Sequence, residues 1–121
     1  MRNNGKICNK LRMDVDKQVC GLDPEGRYVE FAVVVFGLLS DATRARIILA
    51  LRRDDELSVN RIAEVVGKSP AAVLQHLAKL RTARIMSTLQ EGQRVLYRLG
   101  NEHASQLVSD AIFQAEQSSR I

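Results

Sequence analysis

The chain has 121 residues, enough for one compact domain with a modest core and too few for a large enzyme. A hydrophobic fraction of 45% is that of a soluble globular protein, so wholesale disorder is not expected, and no apolar run reaches the roughly 20 residues of a membrane helix, so membrane-spanning proteins and collagens are excluded. The formal net charge of +4, from 18 Lys+Arg against 14 Asp+Glu, is too small by itself to name a partner.

Residues 1–24 show no convincing hydrophobic period and read as a flexible N-terminal arm ending in a turn over 21–24. The start is polar and basic with no apolar segment behind it, unlike a secretory signal. Both cysteines, Cys8 and Cys20, lie in this arm, and two are too few for a disulfide framework, so a cytoplasmic protein with reduced thiols is expected. Over residues 25–39, Tyr28, Phe31, Ala32, Val35 and Leu38/Leu39 recur at helical spacing. Ser40-Asp41 supplies a break and an N-cap for a second helix over 42–53, with Ile47, Ile48 and Leu51 inward and Arg44, Arg52 and Arg53 outside.

Ser58 caps a short third helix in which Ile62, Val65 and Val66 point inward, and Gly67 stands where a helix ends in a left-handed residue. Ser69-Pro70 opens the fourth helix, to about residue 83, with Val73, Leu74, Leu77 and Leu80 as its buried stripe. A short helix, a tight turn and a longer helix in succession form a helix-turn-helix, whose second helix enters the DNA major groove.

Beyond it the hydrophobic period changes from 3.6 to 2. Residues 86–89 and 94–99 read as two strands joined around Gly92, with Val95, Tyr97 and Leu99 on one face and Arg94, Leu96 and Arg98 on the other. Gly100-Asn101 ends this hairpin and caps a last helix to about residue 118, where Ala104, Leu107, Val108, Ala111, Ile112 and Ala115 form an apolar stripe. That stripe either docks on its own domain or forms a dimer seam, and the seam is favoured because the middle elements can already close a core. The candidate dimerisation residues are Phe31, Val35, Leu107, Val108, Ala111, Ile112 and Ala115. The predicted fold is mainly α with a small β-hairpin, a dimeric winged helix-turn-helix over residues 25–119.

The charge is unevenly placed. Residues 42–99 carry +6, residues 1–41 are neutral and residues 100–121 carry −2. Thirteen of the basic residues are Arg, whose donor fork suits phosphate and base edges. A basic middle segment is an electrostatic footprint of nucleic acid, although solvated surface charge produces the same pattern.

These residues resemble the ArsR/SmtB family of small winged-helix repressors over roughly residues 27–118. Leu39-Ser40-Asp41-Ala42-Thr43-Arg44 is similar to the family's "L-x-D-x-x-R" lead-in to the second helix. The run from Ser69 to Arg81 resembles its "S-x-x-x-V-S-Q-H-L-x-x-L-R" recognition helix, and Glu91 to Leu99 its "E-G-R-x-V-x-Y-x-L" wing. The resemblance implies a homodimer that represses an operator in double-stranded DNA and leaves it when an inducer binds. On the recognition helix the candidate contacts are Ser69, Gln75, His76 and Lys79, with Arg81, Arg84, Arg94 and Arg98 as phosphate candidates. Leu74 departs from the family's Ser, so an apolar contact to a thymine methyl stands in for a polar one.

The family's inducers are usually metal ions such as Zn, Cd, Pb or Ni, held on the third or the last helix. The third-helix "C-V-C"-like pair is Ser58-Val59-Asn60 here, and the last-helix ligands correspond to Asn101, His103, Gln114 and Gln117, of which only His103 is a competent ligand. Cys8, Cys20 and His103 therefore remain as candidate metal ligands. The two thiols serve equally as a redox pair, or are incidental. The alternative function is a winged-helix protein–protein interaction module without an operator. No nucleophile–base pair, phosphate loop or H-E-x-x-H motif supports an enzyme.

Overall fold

The computed structural model describes residues 22–119, which fall into two units with their boundary between Phe36 and Gly37. The arm cysteines Cys8 and Cys20 lie outside the described residues. In the first unit the Glu25 N–H donates to Asp23 Oδ1 at 2.9 Å and the Gly26 N–H to the Asp23 carbonyl at 2.8 Å. This side-chain-supported turn holds the chain out of helix. Helix α1 (Val29–Leu39) consequently starts at Val29, four residues later than the periodicity predicts. The Arg27 guanidinium lies 5.3 Å from the Tyr28 ring centroid, and the Tyr28 and Phe31 rings are 5.7 Å apart.

The second unit continues with α2 (Ala42–Asp54), β1 (Leu57–Ser58), α3 (Val59–Val66), α4 (Pro70–Thr82), β2 (Met86–Glu91), β3 (Arg94–Leu99) and α5 (His103–Ser119). Three of these helices begin on a side-chain cap. Asp41, Ser58 and Ser69 accept the backbone N–H groups of Arg44, Arg61 and Ala72, so donors that a helix start leaves unpaired are satisfied. Helix α3 ends at Gly67, in the left-handed region at φ 70°. Helix α4 ends in a Schellman motif: the Arg84 N–H reaches the Arg81 carbonyl and the Ile85 N–H the Leu80 carbonyl. Glycine usually takes the left-handed position of that motif, but here Arg84 occupies it at φ 63°.

The core joins Ile47, Ile48 and Leu51 of α2, Ile62 of α3, Val73, Leu77 and Leu80 of α4, and Ala104 and Val108 of α5. Three expectations about helix faces change. Leu74 is not in the buried stripe of α4 but 46% exposed. At 100° per residue, a stripe centred on Val73, Leu77 and Leu80 leaves position 74 on its shoulder. Val65 and Val66 are only half-buried, the inward face of α3 being carried by Ile62 and Ala63. Arg44 does not point outward; it is half-buried and hydrogen-bonded to two other segments.

The hairpin acquires a third strand. The sheet order is β1-β3-β2, all antiparallel, with Leu57 opposite Tyr97 and Ser58 opposite Leu96. β2 and β3 pair from Met86↔Leu99 to Glu91↔Arg94, leaving Gly92 and Gln93 as a two-residue turn with Gly92 at φ 61°. β3 is thus the central strand, and consecutive residues Leu96 and Tyr97 are both buried, which a hairpin with one wet face does not predict. The Gly100 N–H donates to the Ile85 carbonyl at 2.9 Å, and a Cβ on Gly100 would lie 2.9 Å from the Arg84 carbonyl oxygen. Helices α2 to α5 with this small sheet make a winged helix-turn-helix.

Candidate nucleic-acid interface

Helices α3 and α4 and the turn of residues 67–69 between them form the helix-turn-helix. Ser69 Oγ accepts the Ala72 N–H at 3.2 Å, so this residue starts the recognition helix as well as standing at its exposed tip. Along α4 the side chains of Leu74, Gln75 and Lys79 are exposed, as are Arg81 near its end and Arg84 just past it. His76 is half-buried, and its Nδ1 accepts a hydrogen bond from Arg44 Nε at 3.1 Å. Arg44 is the site residue that periodicity misses. The signal available was its place three residues after the capping Asp41, which fixes the start of α2 beside α4.

The wing contributes unequally. Arg94 lines a cleft of about 480 Å³ together with Leu74, Ser58, Val59, Asn60, Val95 and Tyr97, so the start of α3, the recognition helix and the wing share one surface. Arg98 does not share it. Its Nη1 lies 3.4 Å from Glu56 Oε2, and it lines a separate polar cleft with Arg52, Asp55 and Glu102. Asp41 lies beside the Arg44–His76 pair. Its acid is held below the ordinary carboxylate range chiefly by the Arg44 backbone N–H, with desolvation opposing and the Arg44 charge adding a weaker pull.

The dimerisation candidates divide. Phe31 is 62% exposed, Val35 is half-buried, and Leu107, Ala111, Ile112 and Ala115 are exposed on α5. Val108 is a correction: at 6% exposed it packs into the core of its own unit with Ala104 and offers no surface to a second copy. Phe113, absent from the predicted stripe, is 60% exposed. His103 is exposed at the start of α5, where its backbone N–H donates to Asn101 Oδ1 at 2.8 Å. Among the described residues no group of three or more His, Cys, Asp or Glu side chains is placed to hold a metal ion.

The family model described as "Bacterial regulatory protein, arsR family" matches residues 41–88, from the α2 cap to the middle of β2. The HTH-type transcriptional regulator KmtR of Mycobacterium tuberculosis is 48% identical over 101 residues, covering 84% of this chain and 69% of that protein. The chain belongs to the ArsR family. A second ArsR-type relative, the cadmium resistance transcriptional regulatory protein CadC homolog of Staphylococcus aureus, is 36% identical, with 72% of each chain covered. Among solved structures, the crystal structure of the AntR antimony-specific transcriptional repressor superposes with a TM-score of 0.68 at 27% identity, covering 85% of this chain and all of that one. As an ArsR-family winged helix-turn-helix, the protein is a DNA-binding transcriptional regulator.

Proposed function

We propose that the protein is a homodimeric repressor that seats α4 in the major groove of an operator and leaves it when an inducer binds. The observation that carries this reading is the single surface on which Leu74 of α4 and Arg94 of the wing line one cleft, continuous along α4 with exposed Gln75 and Lys79. Gln75 has the donor–acceptor pair that matches an adenine edge, Lys79 and Arg94 provide charge for guanine or phosphate, and Ser69 and Arg81 flank them. Arg84 adds a phosphate contact just beyond the helix end. Arg98, paired with Glu56, is the weakest of the named contacts. Residues 25–119 act as the DNA-binding and dimerisation domain, and exposed Phe31, Leu107, Ala111, Ile112 and Ala115 supply its apolar seam. A two-fold dimer sets two recognition helices about one DNA turn apart.

The names of the relatives, one for cadmium resistance and one for antimony, support a metal or metalloid ion as the inducer class. The proposed ligands are Cys8 and Cys20, which lie outside the described residues, with His103. The two thiols also favour a second reading, an oxidant or persulfide as the inducer. Footprinting of the DNA upstream of the protein's own gene, with salt titration, tests the repressor. Affinity indifferent to salt and sequence would return it to a protein–protein module. Operator release by Zn, Cd, Pb, Ni, arsenite and thiol oxidants, repeated with Cys8→Ser, Cys20→Ser and His103→Ala, tests the inducer. Equal release of all four proteins by every agent removes these ligands from consideration.

A further inference from the structure

Arg44 makes three hydrogen bonds from the first turn of α2. Its backbone N–H donates to Asp41 Oδ2 at 2.9 Å, its Nη1 to the Leu38 carbonyl at 3.0 Å, and its Nε to His76 Nδ1 at 3.1 Å. The last bond carries chemical information. A guanidinium has N–H groups and no acceptor, so the nitrogen that receives its hydrogen bond must hold a lone pair. Neutral imidazole has one N–H, and accepting at Nδ1 leaves that proton on Nε2. The guanidinium is itself anchored at Nη1 by the Leu38 carbonyl, so its Nε is aimed by the fold rather than by the histidine.

We propose that Arg44 is a positioning residue that holds His76 as the Nε2–H tautomer and makes it a hydrogen-bond donor, not an acceptor, on the recognition helix. The tautomer rests on geometry alone; the use made of it rests on the DNA-binding reading above. A donor at this position pairs with guanine N7 or O6, adenine N7, thymine O4 or a phosphate oxygen, and it rejects the amino groups of adenine and cytosine. An unanchored imidazole presents either a donor or an acceptor and discriminates less. Arg44 thus contributes to sequence preference without touching a base, as groups behind a metal-bound histidine fix which of its nitrogens is free.

The full chain has two histidines, so long-range ¹⁵N–¹H correlation of the imidazole rings at pH 8 gives two ring systems, assigned with His76→Gln. The wild type is expected to show His76 in the Nε2–H form, and Arg44→Met to show a tautomer mixture with His103 unchanged. The proton on Nδ1, or the same mixture in both proteins, overturns the proposal. Should Arg44→Met fail to fold, exposed His103 is the reference: an Nε2–H fraction at His76 no higher than at His103 overturns the proposal. The donor role is read on an operator scanned with 7-deazapurines, 6-thioguanine, 4-thiothymine and methylphosphonates. One substitution should weaken wild-type binding about 2- to 10-fold, the size of one lost hydrogen bond, and leave His76→Ala unaffected. Sensitivity identical in the two proteins overturns that role. A wild type with the Nε2–H tautomer that binds no duplex overturns the DNA reading and the donor role with it, while the tautomer assignment stands.

Discussion

Asp41 does two jobs at one carboxylate: it caps α2 and faces the Arg44–His76 pair. Because its folded acid is depressed, its stabilising effect is complete above the unfolded carboxylate range and is lost as pH falls through the folded value. Asp41→Ala should therefore lower Tm at pH 7 and lose that difference in acid, once pH falls through the depressed folded value. Equal Tm deficits at pH 7 and in acid would mean the side chain acts by shape and not by charge. Arg84 separates backbone from charge in another way. Its left-handed φ costs an ordinary residue about 1 kcal/mol, so Arg84→Gly should match or exceed wild-type thermal stability while Arg84→Ala, which keeps that cost, gains nothing. Both should weaken operator binding alike if the guanidinium meets a phosphate. Leu74 tests direct readout: replacing single operator thymines by deoxyuridine should weaken wild-type binding at one position and leave Leu74→Ser indifferent there.

At the junction of α4, β2 and α5 the backbone comes too close to Gly100 for a side chain. Gly100→Ala should destabilise by about 1–3 kcal/mol in chemical denaturation, because the neighbour its Cβ meets is a backbone carbonyl that cannot rotate away. The helices were legible in the sequence because their caps and stripes are local signals: Asp41, Ser58, Ser69 and Gly67 act as their residue types predict. What was not legible depends on contacts distant in the chain. Two residues, Leu57 and Ser58, become a strand only because β3 lies beside them, and that pairing buries Leu96 and Tyr97 together. The place of Arg44 depends on a histidine 32 residues away. Leu74 was misplaced because an apolar residue beside a stripe cannot be told from one inside it without the packing partner. The charged contacts were named as a set from their places on the recognition helix and the wing, and it takes the ion pair with Glu56 and a separate cleft to tell Arg98 from Arg94.

For the whole molecule, the basic excess of residues 42–99 predicts how binding responds to salt. Arg94→Ala should reduce the slope of log affinity against log salt by about one, whereas Arg98→Ala should change it little, its charge being already partnered. Exposed apolar surface speaks to assembly. Phe31, Val33, Val34 and Phe36 on α1, and Ile112 and Phe113 on α5, are more large apolar groups than a lone domain usually shows to water. Phe31→Glu and Ile112→Glu should each yield monomers by sedimentation and lose operator affinity. Persistence of the dimer in both would place the seam elsewhere.

Ser58 is at once the last residue of a strand and the cap of a helix: its backbone pairs with Leu96 while its hydroxyl receives the Arg61 N–H at 3.2 Å. The wing and the helix-turn-helix consequently have no slack between them. A pull on the wing by the DNA backbone arrives at the first turn of α3 as a strained cap, so operator occupancy has a reporter remote from any base. Hydrogen exchange at the Arg61 amide should change when the operator is bound, and in Ser58→Ala that amide should exchange fast with or without DNA.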